Sequence, residues 1–169
     1  MSDHNTMDDW AHGLPVEVRK ALSRELDTHD NPAYGELSKD GGGGQAITSG
    51  AGFTRVTGWN EEGLNHQVNV SGTDEVVVVT TGVYQAHVTL SMEVADLGTY
   101  EIAVHVNDNI VHNLHTARDY NPNSVGNTAL AGLLQLYVGD VVDLKVSVPS
   151  DTTVTIEHAS MILIGMHQP

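Results

Sequence analysis

Cysteine is absent from the 169 residues, so the chain can form neither a disulfide framework nor a thiolate metal site. Basic residues are scarce: seven Lys and Arg stand against 22 Asp and Glu, giving a formal net charge of −15. Nucleic-acid backbones and anionic membranes share the sign of such a surface and repel it, so neither is expected as a partner. No apolar run approaches the ~20 residues that a membrane-spanning helix needs. The opening MSDHNTMDDW is acidic and polar, unlike the basic and then apolar start of a secretory signal, so export is not expected. Aromatic residues make up 5% of the chain and include a single phenylalanine, so the core must be built mainly from aliphatic side chains.

What is present is a composition of 40% hydrophobic and 17% charged residues, that of a folded protein. The length allows one well-buried core with an appendage and is too short for two ordinary domains. The acidic excess, with lysine only at Lys20, Lys39 and Lys145, suits a salty medium in which self-repulsion is screened; plain solubility accounts for it equally well.

The C-terminal two thirds alternate with period 2. In GVYQAHVTLSMEV the apolar parity is Tyr84, Ala86, Val88, Leu90 and Met92, against the mostly polar Val83, Gln85, His87, Thr89 and Ser91. Val142, Leu144, Val146 and Val148 alternate in the same way with Val141, Asp143, Lys145 and Ser147. Strands are expected at 53–57, 66–70, 76–80, 83–94, 98–107, 109–116, 127–137, 141–148 and 152–165, separated by turn residues such as Gly139-Asp140. Spacing of this kind predicts an all-β antiparallel sandwich or jelly roll over 51–169.

Residues 1–50 read differently, as an N-terminal arm. In GLPVEVRKALSRELDTHD, Pro15 suits a first helical turn, and Val18, Ala21, Leu22 and Leu26 form one apolar stripe. Four consecutive glycines, Gly41 to Gly44, predict a linker between this short helix and the β-domain. A short helix is marginal alone, so its stripe must pack either on its own β-domain or on a neighbour. In the second case Trp10, Leu14, Val18, Leu22 and Leu26 are the docking residues.

Taken in order, the strands carry a signature. GVYQAHVTLSM, YEIAVHVNDNIV, NTALAGLLQLYVGDVVDLKVSV and ASMILIGM resemble successive strands of the tumour necrosis factor and complement globular-head superfamily. The resemblance covers about Phe53 to Met166. It implies a compact jelly roll that assembles as a homotrimer around a three-fold axis. Such domains also serve as decoration, spike and fibre-head modules on tailed viruses. With an acidic chain and an N-terminal arm, the resemblance implies a virion structural protein, made in the host cytoplasm, whose partners are capsid or tail proteins. Two roles follow from it: a trimeric capsid decoration or cement protein, or a tail-fibre head that binds a host surface glycan or receptor.

No catalytic constellation stands out, and an enzyme is not expected. The serines lack a nucleophile-elbow context, and the glycine run lacks the lysine of a phosphate loop. Glu61-Glu62 and Asp74-Glu75 are adjacent pairs in turns, unlike the facing carboxylates of a hydrolase. Ten histidines are many for this length. His112 and His115 sit three apart, which on a strand places them on opposite faces, so surface or structural histidine is the expectation rather than a metal site. Asp96, Asp108, Asp119, Asp140 and Asp151 fall at turns, where Asp is a preferred turn-former as well as a conceivable calcium ligand. No cofactor is expected. Trp59 and Tyr120 fall in expected loops, where they either stack on a ligand or cap the sandwich.

Overall fold

In a computed structural model, the structure describes Pro15, Glu17, Val18, Lys20 and residues 32–48, 52–59, 61–70 and 74–166. The chain divides into two compact units, Met1–Pro32 and Ala33–Pro169. Within the first, Glu17, Val18 and Lys20 have helical backbone, and the Val18 amide donates to the Pro15 carbonyl at 3.0 Å. The remaining docking residues of the expected arm, Trp10, Leu14, Leu22 and Leu26, lie outside the described residues.

The second unit is a sandwich of two antiparallel sheets. Its strands are β1 (Tyr34–Ile47), β2 (Thr54–Arg55), β3 (Glu61–His66), β4 (Val68–Asn69), β5 (Val76–Val78), β6 (Gly82–Val94), β7 (Gly98–Val106), β8 (Asn109–Tyr120), β9 (Val125–Leu136), β10 (Val141–Ser147) and β11 (Thr152–Met166). One sheet has the order β3-β1-β11-β6-β9. The other runs β4-β5-β10-β7-β8, with β2 sharing with β5 one side of β10.

The alternation in the sequence becomes the sandwich directly. Tyr84, Ala86, Val88, Leu90, Met92 and Val94 of β6 are all buried, as are Val142, Leu144 and Val146 of β10. Full burial of each such aliphatic side chain stabilises by about 1.5–3 kcal/mol. The two large phenols that enter this interior do not strand their hydroxyls: Tyr84 donates to the Thr80 carbonyl at 2.6 Å and Tyr100 to the Asp96 carbonyl at 2.8 Å. Burial pushes both phenols above their ordinary pKa, so both stay protonated donors.

The glycine-rich segment is not a linker. Residues 34–47, including Gly41 to Gly44, form β1, which pairs with β11 from Tyr34↔Ile164 to Ile47↔Thr152. A register shift between Asp40 and Gly43 accommodates the run, and Gly41 takes φ = 94°, a left-handed conformation that glycine adopts without a Cβ clash. The arm of 1–50 is therefore shorter than its composition predicts: the β-unit begins at Ala33. β11, apolar on one parity and long, supplies a template onto which even a poor strand sequence is drawn.

Candidate functional site

Two outer faces of the sandwich carry its chemistry. On the β10 sheet, Asp143 and Lys145 point away from the core and sit opposite His105 and Ala103 of β7. Arg55, brought in by the β2–β10 pairing, donates from Nε to Asp143 Oδ2 at 2.6 Å and from an Nη to Glu75 Oε2 at 2.6 Å. Lys145 Nζ donates to Asp108 Oδ1 at 2.5 Å and lies 3.6 Å from Asp143 Oδ2. Phe53 lies against the His105 ring at 4.9 Å with a steep interplanar angle of 62°. Asp143, with its side chain 3% exposed, is thus a buried carboxylate held between two cations.

The electrostatics follow from this packing. Burial lowers the Arg55 pKa, but the hydrogen bonds and charges of Asp143 and Glu75 outweigh it and leave the guanidinium raised. Asp108 is lowered by the hydrogen bond and charge of Lys145. His105 is lowered by burial first and by the Lys145 charge second, which keeps it neutral. A depression of about 320 Å³ opens beside the network, lined by Arg55, Glu75, Asn107, Asp108, Val141 and Asp143. Among the described residues no group of three or more His, Asp or Glu is arranged to hold a metal. The network is a tie across four elements whose carboxylates are already matched by cations.

The middle of the β11 sheet's outer face is of the opposite character, while Glu93 near the end of β6 and Glu36 and Asp40 on β1 carry charge outside it. Along the middle of β6, β9 and β11 the outward positions run from Val83 to Ser91, from Asn127 to Gln135 and from Ser160 to Met166. None of these outward residues is Asp, Glu, Lys or Arg, in a chain of net charge −15. Ile162, Ile164, Leu133, Ala129 and Ala131 make up its middle, with Leu133 54% exposed and Met166 44% exposed at one end. A shallow hollow of about 400 Å³ lies towards the other end, among Thr89, Ser91, Asn127, Ala129 and His158.

The residues singled out in the sequence fall as follows. Tyr120 is not a surface residue: it is 3% exposed, its hydroxyl is 2.9 Å from Thr128 Oγ1, and its ring meets Tyr100 edge-on at 5.5 Å. Gly126 accommodates that ring, since a Cβ there would sit 2.2 Å from Tyr120 Cε1. Trp59 is half-buried against the core, its indole N–H donating to the Val56 carbonyl at 3.0 Å. Val18 is 42% exposed. Asp140 is a turn-former: Oδ2 accepts from the Tyr137 amide at 2.8 Å and Oδ1 from Asn107 Nδ2 at 2.7 Å. His115 pairs with Glu101 at 3.0 Å while His112 is exposed.

No family model matches the sequence, and no curated protein does. Solved structures do match. The Eiger tumour necrosis factor of S. frugiperda superposes with a TM-score of 0.62 at 14% identity, over 82% of this chain and 96% of that one. The fold is a tumour necrosis factor-like jelly roll. Murine APRIL at pH 5.0 gives a TM-score of 0.60 at 14% identity over 80% and 100% of the two chains. The globular domain of zebrafish complement 1qA protein gives 0.60 at 12% identity over 82% and 100%. The strand order expected from GVYQAHVTLSM through ASMILIGM is thus that of the jelly roll. What sequence reasoning passed over is the uncharged outer face, although the small residues of NTALAGLLQL on β9 already carried it.

Proposed function

We propose that this chain is a homotrimeric structural protein of a virus particle, a capsid decoration or cement protein anchored by its N-terminal segment. The carrying observation is the uncharged patch along the middle of β6, β9 and β11. With a net charge of −15, two copies repel one another wherever carboxylates meet, and this face allows close approach without that cost. Its exposed Ile164, Leu133 and Met166 supply apolar area to bury at about 25 cal/mol per Å². The tumour necrosis factor-like fold supports three-fold closure by analogy. The segment before Ala33 is the anchor in this reading, and three anchors joined in one trimer raise their effective concentration on the particle.

Light scattering on the purified protein is expected to give the mass of a trimer. Removal of residues 1–32 is expected to leave a folded trimer that no longer binds particles. The truncation must stop there, because β1 begins at Tyr34 and pairs along the whole of β11. Normal particle occupancy by the truncated protein would sink the anchor; specific adsorption to host cells or glycans by the trimer alone would favour a receptor-binding head instead.

A further inference from the structure

We propose that His87 makes self-association through the β11 sheet acid-labile, so that an oligomer assembled at neutral pH comes apart as this imidazole takes up a proton. The inference rests on the reading above that a second copy covers this outer face.

His87 lies on β6, an interior strand of the sheet, with Ile162 of β11 on one side and Ala131 of β9 on the other. The diagonal positions are Ser160 and Ile164 on β11 and Ala129 and Leu133 on β9, and its own strand places Gln85 and Thr89 on the same face. None of these neighbours can carry a charge. On β9 no outward residue from Asn127 to Gln135 ionises.

The titratable groups farther out are engaged elsewhere or distant. On β11, His158 contacts Asp40 Oδ1 of β1 at 2.7 Å. Glu36 of β1 stands opposite Ile162, one strand beyond, and its side chain lies over Gly63 of β3, where a Cβ would come within 2.7 Å of Glu36 Cβ and Cγ. Glu93 of β6 and Glu157 in the β11 bulge flank the Ser91 row and the positions beyond it, about 13 Å or more along the strand from His87. His66 of β3 packs on Tyr34, at the other flank of the sheet.

Histidine as a class changes charge between about pH 5 and 8. An imidazolium set among these uncharged neighbours gains no partner within its own copy and loses its water when a second copy covers it, and the assembly repeats that charge in every copy. A neutral imidazole costs little in the same place, because it can share a hydrogen bond with a neighbouring hydroxyl such as Thr89. Proton uptake therefore favours the separated state, in which the ring is hydrated.

The test measures molar mass by light scattering, with far-ultraviolet circular dichroism as the fold control, at about pH 7.5 and about pH 5. The wild type is expected to be oligomeric at the higher pH and monomeric, with its β signal intact, at the lower. His87→Gln is expected to stay oligomeric at both, and His87→Lys to be monomeric even at the higher pH. An intact wild-type oligomer at both values, a His87→Gln protein that dissociates like wild type, or an oligomeric His87→Lys protein would each overturn the switch while leaving self-association standing. A wild type that is monomeric at the higher pH would overturn self-association itself. If acid unfolds the wild type, His87→Lys at the higher pH still decides.

Discussion

Asp143 shows how much of this fold is held by a single carboxylate. Its side chain is buried, and Oδ2 is shared by Arg55 and Lys145 while Oδ1 has no hydrogen-bond partner among the described residues. Removing it leaves Arg55 paired with Glu75 alone and Lys145 with Asp108 alone, with their donors to Asp143 unmatched. We expect Asp143→Ala to lose about 1–3 kcal/mol, read as a lower urea midpoint with little change in slope. His105, opposite it on β7, carries a pH signature. Its folded pKa is lowered, so the unfolded chain binds more protons below the ordinary histidine value, and stability falls as the pH drops through about 6.5. His105→Gln is expected to flatten that decline in a series of denaturation curves across pH. Neither role was legible in the sequence, where Arg55, Glu75, Asp108 and Asp143 are unconnected acids and bases. Only the register of β10 against β2 and β7 brings them together.

Elements divide by whether side chains or neighbours specify them. β6, β10 and β11 are legible because an apolar parity is written along each, and the observed strands match the expected ones to within a residue or two. β1 was not legible, since glycine has no side chain to alternate and its pairing is imposed by β11. β3, with sequence EEGLNH, lacks the alternation for a related reason: it is an edge strand that pairs with β1 on one side only. The glycine run therefore predicts two opposite outcomes. Gly43 has an ordinary φ and an open Cβ direction with Lys39 Nζ 3.8 Å away, so Gly43→Ala is expected to stabilise by about 0.5 kcal/mol. Gly41, at φ = 94°, is expected to lose about 1 kcal/mol on replacement by Ala. Thermal denaturation of the two variants side by side checks the pair, and equal shifts would refute the assignment of Gly41 to the left-handed region.

At the scale of the whole molecule, the sandwich presents a charged network on one outer face and an uncharged patch over the middle of β6, β9 and β11 on the other, and the assembly proposed above depends on that contrast. The docking role proposed for the first unit and the face proposed for self-association are separable, because truncation at Pro32 tests one and substitution at His87 tests the other. The face was only half legible from sequence: the outward parity of β6 reads as polar, and its neutrality emerges only when β9 and β11 are laid beside it.

The seam between the two sheets has a consequence of its own. Edge strands β8 and β9 are bridged by side chains, Asn113 Nδ2 donating to the Leu133 carbonyl at 2.9 Å and Arg118 to the Asn127 carbonyl. Those carbonyls would otherwise stand open to a passing extended chain. In the coat proposed above, crowding would raise the chance of stray strand pairing, and these two side chains take up two of the β9 carbonyls that such pairing would use.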